Sequence, residues 1–301
     1  MKTTSRIAFL ALLLIAFTVT ANAQHEHKMK CPMAKHCSHD SDSTKCDHNY
    51  FCMPDFNGHD FPFFKKKNKF NGHWAGIEIG INGYLTPDFD MNFYPKYPYM
   101  NMNTARSLFV NINPFELNVN LYKNHIGFTT GIGLQLSNYY FTGTYVMLKD
   151  STSLVAYQSY DQLGNSAAMR VNKLFVSYIN LPLFFEYQTN SRQRLNSFHA
   201  TLGVVLGVRI GTYTKQSYES INQTYSLNDE QGTKVATYYV DKHNVNSRGA
   251  YHLAPFKVDA AFRVGWSHLN LFATYSLTQM FQKNQGPELY PWTVGITLLG
   301  W

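Results

Sequence analysis

The only four cysteines of the 301-residue chain stand close together: Cys31, Cys37, Cys46 and Cys52, two Cys-x5-Cys pairs separated by eight residues. Six of the twelve histidines share the stretch (His25, His27, His36, His39, His48 and His59), with Met29, Met33 and Met53 between them. Thiolate, imidazole and thioether donors together suit Cu(I) or Zn(II), and histidines this dense are unusual in a plain linker. The four cysteines with His25, His27, His36, His39 and His48 are therefore the candidate metal ligands. Their spacing is not that of a zinc finger, so the signal is compositional. In an oxidising compartment the same cysteines make two disulfides, in any of three pairings. Both readings stand.

A second set of chemical groups lies further on. Glu78, Glu116, Glu186 and Asp259 face Arg209, Lys257 and Arg263 in near balance. All seven fall at strand positions that alternate with apolar residues. A closed interior demands such pairing, because a buried charge without a partner is expensive. The expected arrangement is a lumen charge cluster that packs the interior and is not an ion path. His73, His125, His199, His252 and His268 are scattered singly, as hydrogen-bonding residues of a rim or lumen. No G-x-S-x-G or H-E-x-x-H appears, so no enzyme is expected. The net charge of +7 comes largely from Lys65, Lys66, Lys67 and Lys69 and from the first residues. A basic patch alone is the weakest part of a nucleic-acid signature, and no nucleic-acid partner is expected.

The elements that must position these charges show most clearly in Ser197 to Thr214. Phe198, Ala200, Leu202, Val204, Leu206, Val208 and Ile210 all occupy even positions. Odd positions carry His199, Thr201, Gly203, Val205, Gly207, Arg209 and Gly211. Only a pleated strand sorts residues this way, and its length suits a tilted strand crossing a bilayer, which needs about 9 to 11 residues for the hydrocarbon. The same period recurs near 73–85, 107–122, 125–141, 173–188, 256–267, 268–280 and 290–301. The count is eight. Within the second strand the apolar phase changes across Pro114, which predicts a β-bulge there.

The connections alternate in length. Those after the second, fourth and sixth strands are short, near Lys123-Asn124, Thr189 to Asn196 and Ser267-His268. Those after the first, third and fifth are long, Thr86 to Arg106, Thr142 to Asn172 and Lys215 to Pro255, and the last, Phe281 to Leu289, is moderate. Outer-membrane barrels have an even strand number, short periplasmic turns and long outer loops, which puts both chain ends in the periplasm. Tyr84, Tyr122, Tyr139, Tyr140, Tyr187, Tyr213, Trp266, Trp292 and Trp301 stand near strand ends, where interfacial girdles belong.

A lipocalin-like soluble barrel would show the same alternation with the apolar face inward. A watered outer face, however, collects Lys and Glu freely, whereas here the polar face is mostly Gly, Ser, Thr and Asn. Charged residues are only 15% of the chain, against about 25% in ordinary soluble domains. The start supplies an export route: Lys2 and Arg6, the apolar run Ile7 to Thr18, and Ala21-Asn22-Ala23 before Gln24 form a signal peptide. The expected organisation is a signal peptide at 1–23, an irregular Cys/His/Met-rich periplasmic segment at 24–70, and an all-β, eight-stranded antiparallel up-and-down transmembrane β-barrel at 71–301.

Several short motifs in order, Trp74-Ala75-Gly76-Ile77-Glu78-Ile79-Gly80, Asn113-Pro114-Phe115-Glu116-Leu117, Gly131-Ile132-Gly133-Leu134 and Tyr178-Ile179-Asn180-Leu181-Pro182-Leu183, carry a family resemblance. From about residue 71 to the end, the chain resembles the outer-membrane β-barrel proteins common in Bacteroidota, the porin-like or PorT-like group. The resemblance implies the outer membrane, with lipid around the barrel, and no catalytic residues. One departure stands out: the outward phase of the last strand falls on even residues, so Trp301 is out of step with the usual aromatic-ended insertion signal.

Eight strands enclose an interior that side chains just fill. The expected function is therefore a plugged barrel with a structural, binding or envelope-accessory role through its Tyr-, Asn-, Ser- and Gln-rich outer loops, beside periplasmic or envelope proteins. Cu or Zn binding by the N-terminal segment adds to it. The alternatives are a porin-type channel for small solutes or ions and, behind it, a membrane enzyme active at a rim.

Overall fold

The computed structural model describes residues 70, 72–91, 93, 96–149, 151–189, 197–266 and 269–300. The signal peptide, the metal-donor segment up to residue 69, most of the 189–196 turn, the Ser267-His268 turn and Trp301 lie outside the described residues. The chain divides into two units, Met1–Asn57 and Gly58–Trp301, and every described residue belongs to the second.

In chain order the strands of the described residues are β1 (Gly76–Leu85), β2 (Leu108–Tyr122), β3 (Ile126–Tyr140), β4 (Tyr145–Leu148), β5 (Val155–Tyr160), β6 (Met169–Gln188), β7 (Phe198–Tyr218), β8 (Gln223–Asn228), β9 (Lys234–Val240), β10 (Asn244–Arg248), β11 (Phe256–Trp266), β12 (Leu269–Ser276) and β13 (Tyr290–Gly300). Eight of them form a ring. β1, β2, β3, β6, β7, β11, β12 and β13 each pair antiparallel with the next, and β13 returns to β1 through Gly80 opposite Gly295. Closure leaves no free barrel edge, as a lipid-facing sheet requires.

The period-two apolar set faces outward. Leu202 is 65% exposed and Phe262 50%, while Arg263, next in sequence, is 6% exposed. A soluble barrel would reverse these. The register of β2 against β3 shifts between Ile112 and Phe115, where Pro114 removes a ladder donor. The turn from β2 to β3 places Lys123 and Asn124 at positive φ, as a tight two-residue hairpin demands.

The long loops are more ordered than their composition implies. β4, β5, β8 and β9 form a separate four-stranded sheet in that order, and β10 pairs with the extension of β7 between Tyr213 and Ser217. Two turns at this sheet share a design: the Asp161 side chain, just after β5, accepts from the Leu163 and Asn165 N–H groups, and Asp229, between β8 and β9, from those of Gln231 and Thr233. Gly164 and Gly232 each adopt φ of +80° in these turns, a conformation open to glycine without steric cost.

Two of the expected girdle aromatics turn the other way. Tyr84 and Tyr139 are buried, Tyr84 completely, because both occupy the inward phase of their strands. Tyr122, Tyr187 and Trp266 do face out, with roughly half their surface exposed.

Candidate functional site

The inward face of the barrel is built in three levels. At the short-turn end, residues Gly72 to Ala75 run inside the ring as a strap ahead of β1. Its backbone donors meet carboxylates: Trp74 N and Ala75 N donate to Glu116 Oε2 at 2.7 and 2.6 Å, and His73 N donates to Glu186 Oε2 at 3.2 Å. Glu116 also accepts from Asn118 Nδ2 at 2.5 Å. The His73 ring pairs through Nδ1 with Glu186 Oε1 at 2.5 Å. Its face lies on the His199 ring, with centroids 3.8 Å apart and planes 4° apart. His199 in turn bonds through Nε2 to Asn270 Oδ1.

Trp74 anchors the strap. The ring packs with Phe184, Val205 and Ala261 and is 2% exposed. Room for it comes from small residues on β3: a Cβ on Gly131 would lie 2.6 Å from the indole and 2.1 Å from the Phe115 carbonyl oxygen.

The middle level holds the ion pairs. Arg263 forms an ion pair with Glu78, which accepts a hydrogen bond from Asn111 Nδ2 at 2.9 Å. The guanidinium lies between the Phe184 and Phe272 rings, 5.4 and 5.5 Å from their centroids. Lys257 bonds to Asp259 and donates to Gln135 Oε1 at 2.9 Å, with the Tyr178 ring 4.9 Å beneath its ammonium. Asn180 Nδ2 donates to the same Gln135 oxygen at 2.8 Å, tying β6 to β3 and β11.

At the long-loop end an apolar core draws on both barrel and loops. Tyr84, Phe93, Met100, Tyr139, Tyr178, Tyr251 and Phe281 belong to one buried cluster. Tyr84 Oη donates to the Met100 carbonyl at 2.5 Å, which fastens the loop after β1 to the strand it leaves. Beyond it, in the outer sheet, the hydroxyls of Ser159, Tyr238 and Tyr218 form a chain with 2.6 Å links. Burial pushes both tyrosine hydroxyls above their ordinary titration range, and in Tyr218 the neighbouring Tyr238 adds to the shift. Tyr99, in the loop after β1, is pushed up to about 12, first by burial.

Four of the seven lumen charges thus make cation–carboxylate pairs, Glu78 with Arg263 and Asp259 with Lys257. The other three do not join as expected. Glu116 and Glu186 are satisfied by the strap's N–H groups and by His73. Arg209 reaches no acid: its Nη1 donates to Thr212 Oγ1 and the Ala250 carbonyl at 3.1 and 3.0 Å. It stands above the level of Asp259, which pairs with Val205, and a rim carbonyl is the nearer acceptor.

Sequence reasoning missed the strap and the meeting of His73 with His199. The available signal was partial: His199 and Trp74 fall on the inward phase of their strands, whereas His73 falls on the opposite phase to Trp74 and enters the lumen only because the strap runs inside the ring ahead of β1. Among the described residues no group of three or more His, Cys, Asp or Glu side chains is placed to hold a metal. The candidate ligands Cys31, Cys37, Cys46, Cys52, His25, His27, His36, His39 and His48 lie outside the described residues. Each described histidine ring bonds to a carboxylate, amide or carbonyl oxygen: His73, His125, His199, His243 and His252. None of these bonds reaches a hydroxyl nucleophile.

Comparison with known families matches residues 75–282 to one described as an outer membrane protein beta-barrel domain. No curated protein and no solved structure matches the chain.

Proposed function

The chain belongs to the outer membrane protein beta-barrel domain family, whose match covers more than half its length, and on that premise we propose a barrel with a plugged lumen that works through its rims. The observation that carries this reading is the succession of strap, ion pairs and loop core along the inward face. Four of the seven charges there are neutralised in pairs and the other three are committed to fixed hydrogen-bond partners, whereas a conducting path needs sites that ions can enter and leave. An eight-stranded ring leaves little more than side-chain room in any case. The location is the bacterial outer membrane.

The finer assignments belong to the same proposal. Residues 1–23 direct export, residues 24–70 lie in the periplasm, and the long-loop end faces outward. There the outer sheet, rich in Tyr, Asn, Ser and Gln, offers adaptable polar contacts to a ligand or to another envelope component. The order of motifs from Trp74 to Leu183 supports a place in the PorT-like group of Bacteroidota. Planar-bilayer recording tests the plug: the purified barrel should give no stable open channel, and large stable conductance would establish the porin-type alternative.

The donor-rich segment supports a second role, capture of Cu or Zn below the membrane. Elemental analysis of the protein with and without residues 24–70 checks it. Equal metal content in the two forms would leave the disulfide reading.

A further inference from the structure

Four cations, Arg106, Lys173, Lys215 and Arg248, line one arc of the outer wall at the long-loop end. Register sets them in a row: Tyr140 on β3 lies opposite Lys173 on β6, Lys173 opposite Lys215 on β7, and Lys215 opposite Asn246 on β10. Two residues nearer the membrane the same strands align Asn138, Phe175, Tyr213 and Arg248. Arg106 joins from the loop before β2, with its guanidinium 5.1 Å from the centre of the Tyr140 ring, and the Lys173 ammonium is 5.2 Å from the same ring. The strand positions point away from the lumen, because Leu174, Val176, Thr214 and Gln216, which alternate with them, are buried on the inward phase.

The row has no counter-charge of its own. Lys173 and Lys215 are direct cross-strand partners on one face, and like charges so placed repel. Among the described residues no carboxylate makes an ion pair with any of the four cations, and Glu219, just past the end of β7, is paired with Arg170 at 3.5 Å. Lys173 donates to the neutral Asn138 Oδ1 at 2.7 Å. An anion from outside the chain would remove the repulsion.

The wall beneath says what kind of anion fits. The Phe175 and Tyr213 rings stack 4.7 Å apart directly below the lysines. Further down the surface is apolar, with Ile179, Leu181, Leu206, Ile210 and Phe256 exposed. A hydrocarbon layer takes about 9 to 11 residues of a tilted strand, so counting up β6 from the outward-facing Tyr187 places its far edge near Ser177 to Ile179. Lys173 then stands about 10 Å beyond that edge, within a lysine side chain's reach of the head-group layer.

We propose that Arg106, Lys173, Lys215 and Arg248 bind the phosphorylated head group of an outer-leaflet lipid, whose acyl chains lie on the apolar wall below. The site rests on the reading that the long-loop end faces outward, and it names what that rim holds. Phosphate oxygens accept from the cations, and the Tyr140 ring keeps Arg106 and Lys173 side by side. A basic residue at this depth adds about fivefold in affinity for an anionic head group.

The full-length protein in detergent micelles, its folding checked by the heat-dependent gel shift of barrels, is titrated with diphosphoryl lipid A. Native mass spectrometry counts the bound lipid, and saturable binding is expected at low salt. Lys173→Gln with Lys215→Gln should weaken it about 25-fold, and Arg248→Gln alone about fivefold. Lys123→Gln with Lys234→Gln removes as much charge from the short-turn end and from β9, and should change nothing. Lipid A stripped of its phosphates should lose the binding. Equal affinity in the wild type and the Lys173, Lys215 variant overturns the proposal. So does an equal loss in the Lys123, Lys234 variant, or full displacement of the lipid by inorganic phosphate at equal concentration. An epitope inserted after Gly232 and sought on intact cells checks the orientation separately. Its absence there defeats the outward reading, whereas failure of the titration defeats the site alone.

Discussion

Replacing Glu78 with glutamine leaves the shape of the middle level almost unchanged and removes one charge. Arg263 then keeps its guanidinium between the rings of Phe184 and Phe272, 6% exposed, with no anion in contact. Lys257 and Asp259 neutralise each other and offer no spare charge. Two unit charges about 4 Å apart attract by roughly 4 kcal/mol at an effective dielectric constant near 20. Breaking a buried pair from one side costs about 3–5 kcal/mol in measured cases, so the two routes agree. Glu78→Gln should therefore lower the free energy of unfolding by about 3–5 kcal/mol. Arg263→Met should cost a similar amount, because Glu78 would keep only Asn111. The double variant should cost clearly less than the sum, since it leaves neither charge behind. Urea titration of the barrel folded in phospholipid vesicles, followed by its gel shift, measures all four proteins. Single variants within about 1 kcal/mol of the wild type, the value of an exposed pair, would refute the buried pair. Strict additivity would refute the coupling.

Leu206 points outward near the middle of β7, and Leu206→Lys should cost about 2–4 kcal/mol in the same assay if lipid lies there. Gly131→Ala should overpack the seat of Trp74 and cost about 1–3 kcal/mol, with loss of the folded gel band at lower urea. The buried tyrosines of the long-loop end give a pH dependence of known sign. Tyr218, Tyr238 and Tyr99 titrate higher folded than unfolded, so their contribution is complete below about pH 10 and is lost as pH rises through the folded values. Tyrosinate absorbance should show a group titrating near 12, for Tyr99, and Tyr238→Phe should move the Tyr218 titration downward.

The local sequence already contained the barrel because strand facing is a local property. Successive side chains point to opposite sides of a pleat, so Phe198 to Ile210 sort into two faces whatever they later pair with. Pro114 likewise marks its bulge alone, since the missing donor is its own. The inward burial of Tyr84 and Tyr139 was legible by the same period, from the polar and glycine residues two and four places before them, Asn82 and Gly80 in one strand and Ser137 and Gln135 in the other. The turns Asp161 to Asn165 and Asp229 to Thr233 carried a readable turn signal as well, an Asp whose side chain caps its own loop with Gly three residues on.

Partnership was a different matter. His73 meets Glu186 across 113 residues and His199 meets Asn270 across 71, and Gln135 joins Lys257 across 122. Such meetings depend on the stagger of eight strands around a closed ring, where the level of each inward residue accumulates from every register before it, bulges included. That is why Arg209 ends beside the Ala250 carbonyl and not beside an acid, and why two histidines that looked solitary share one stack. Period and phase come from the geometry of a single strand. Level within the barrel exists only once the ring has closed, and the ion pairs, the strap and its histidines were decided there.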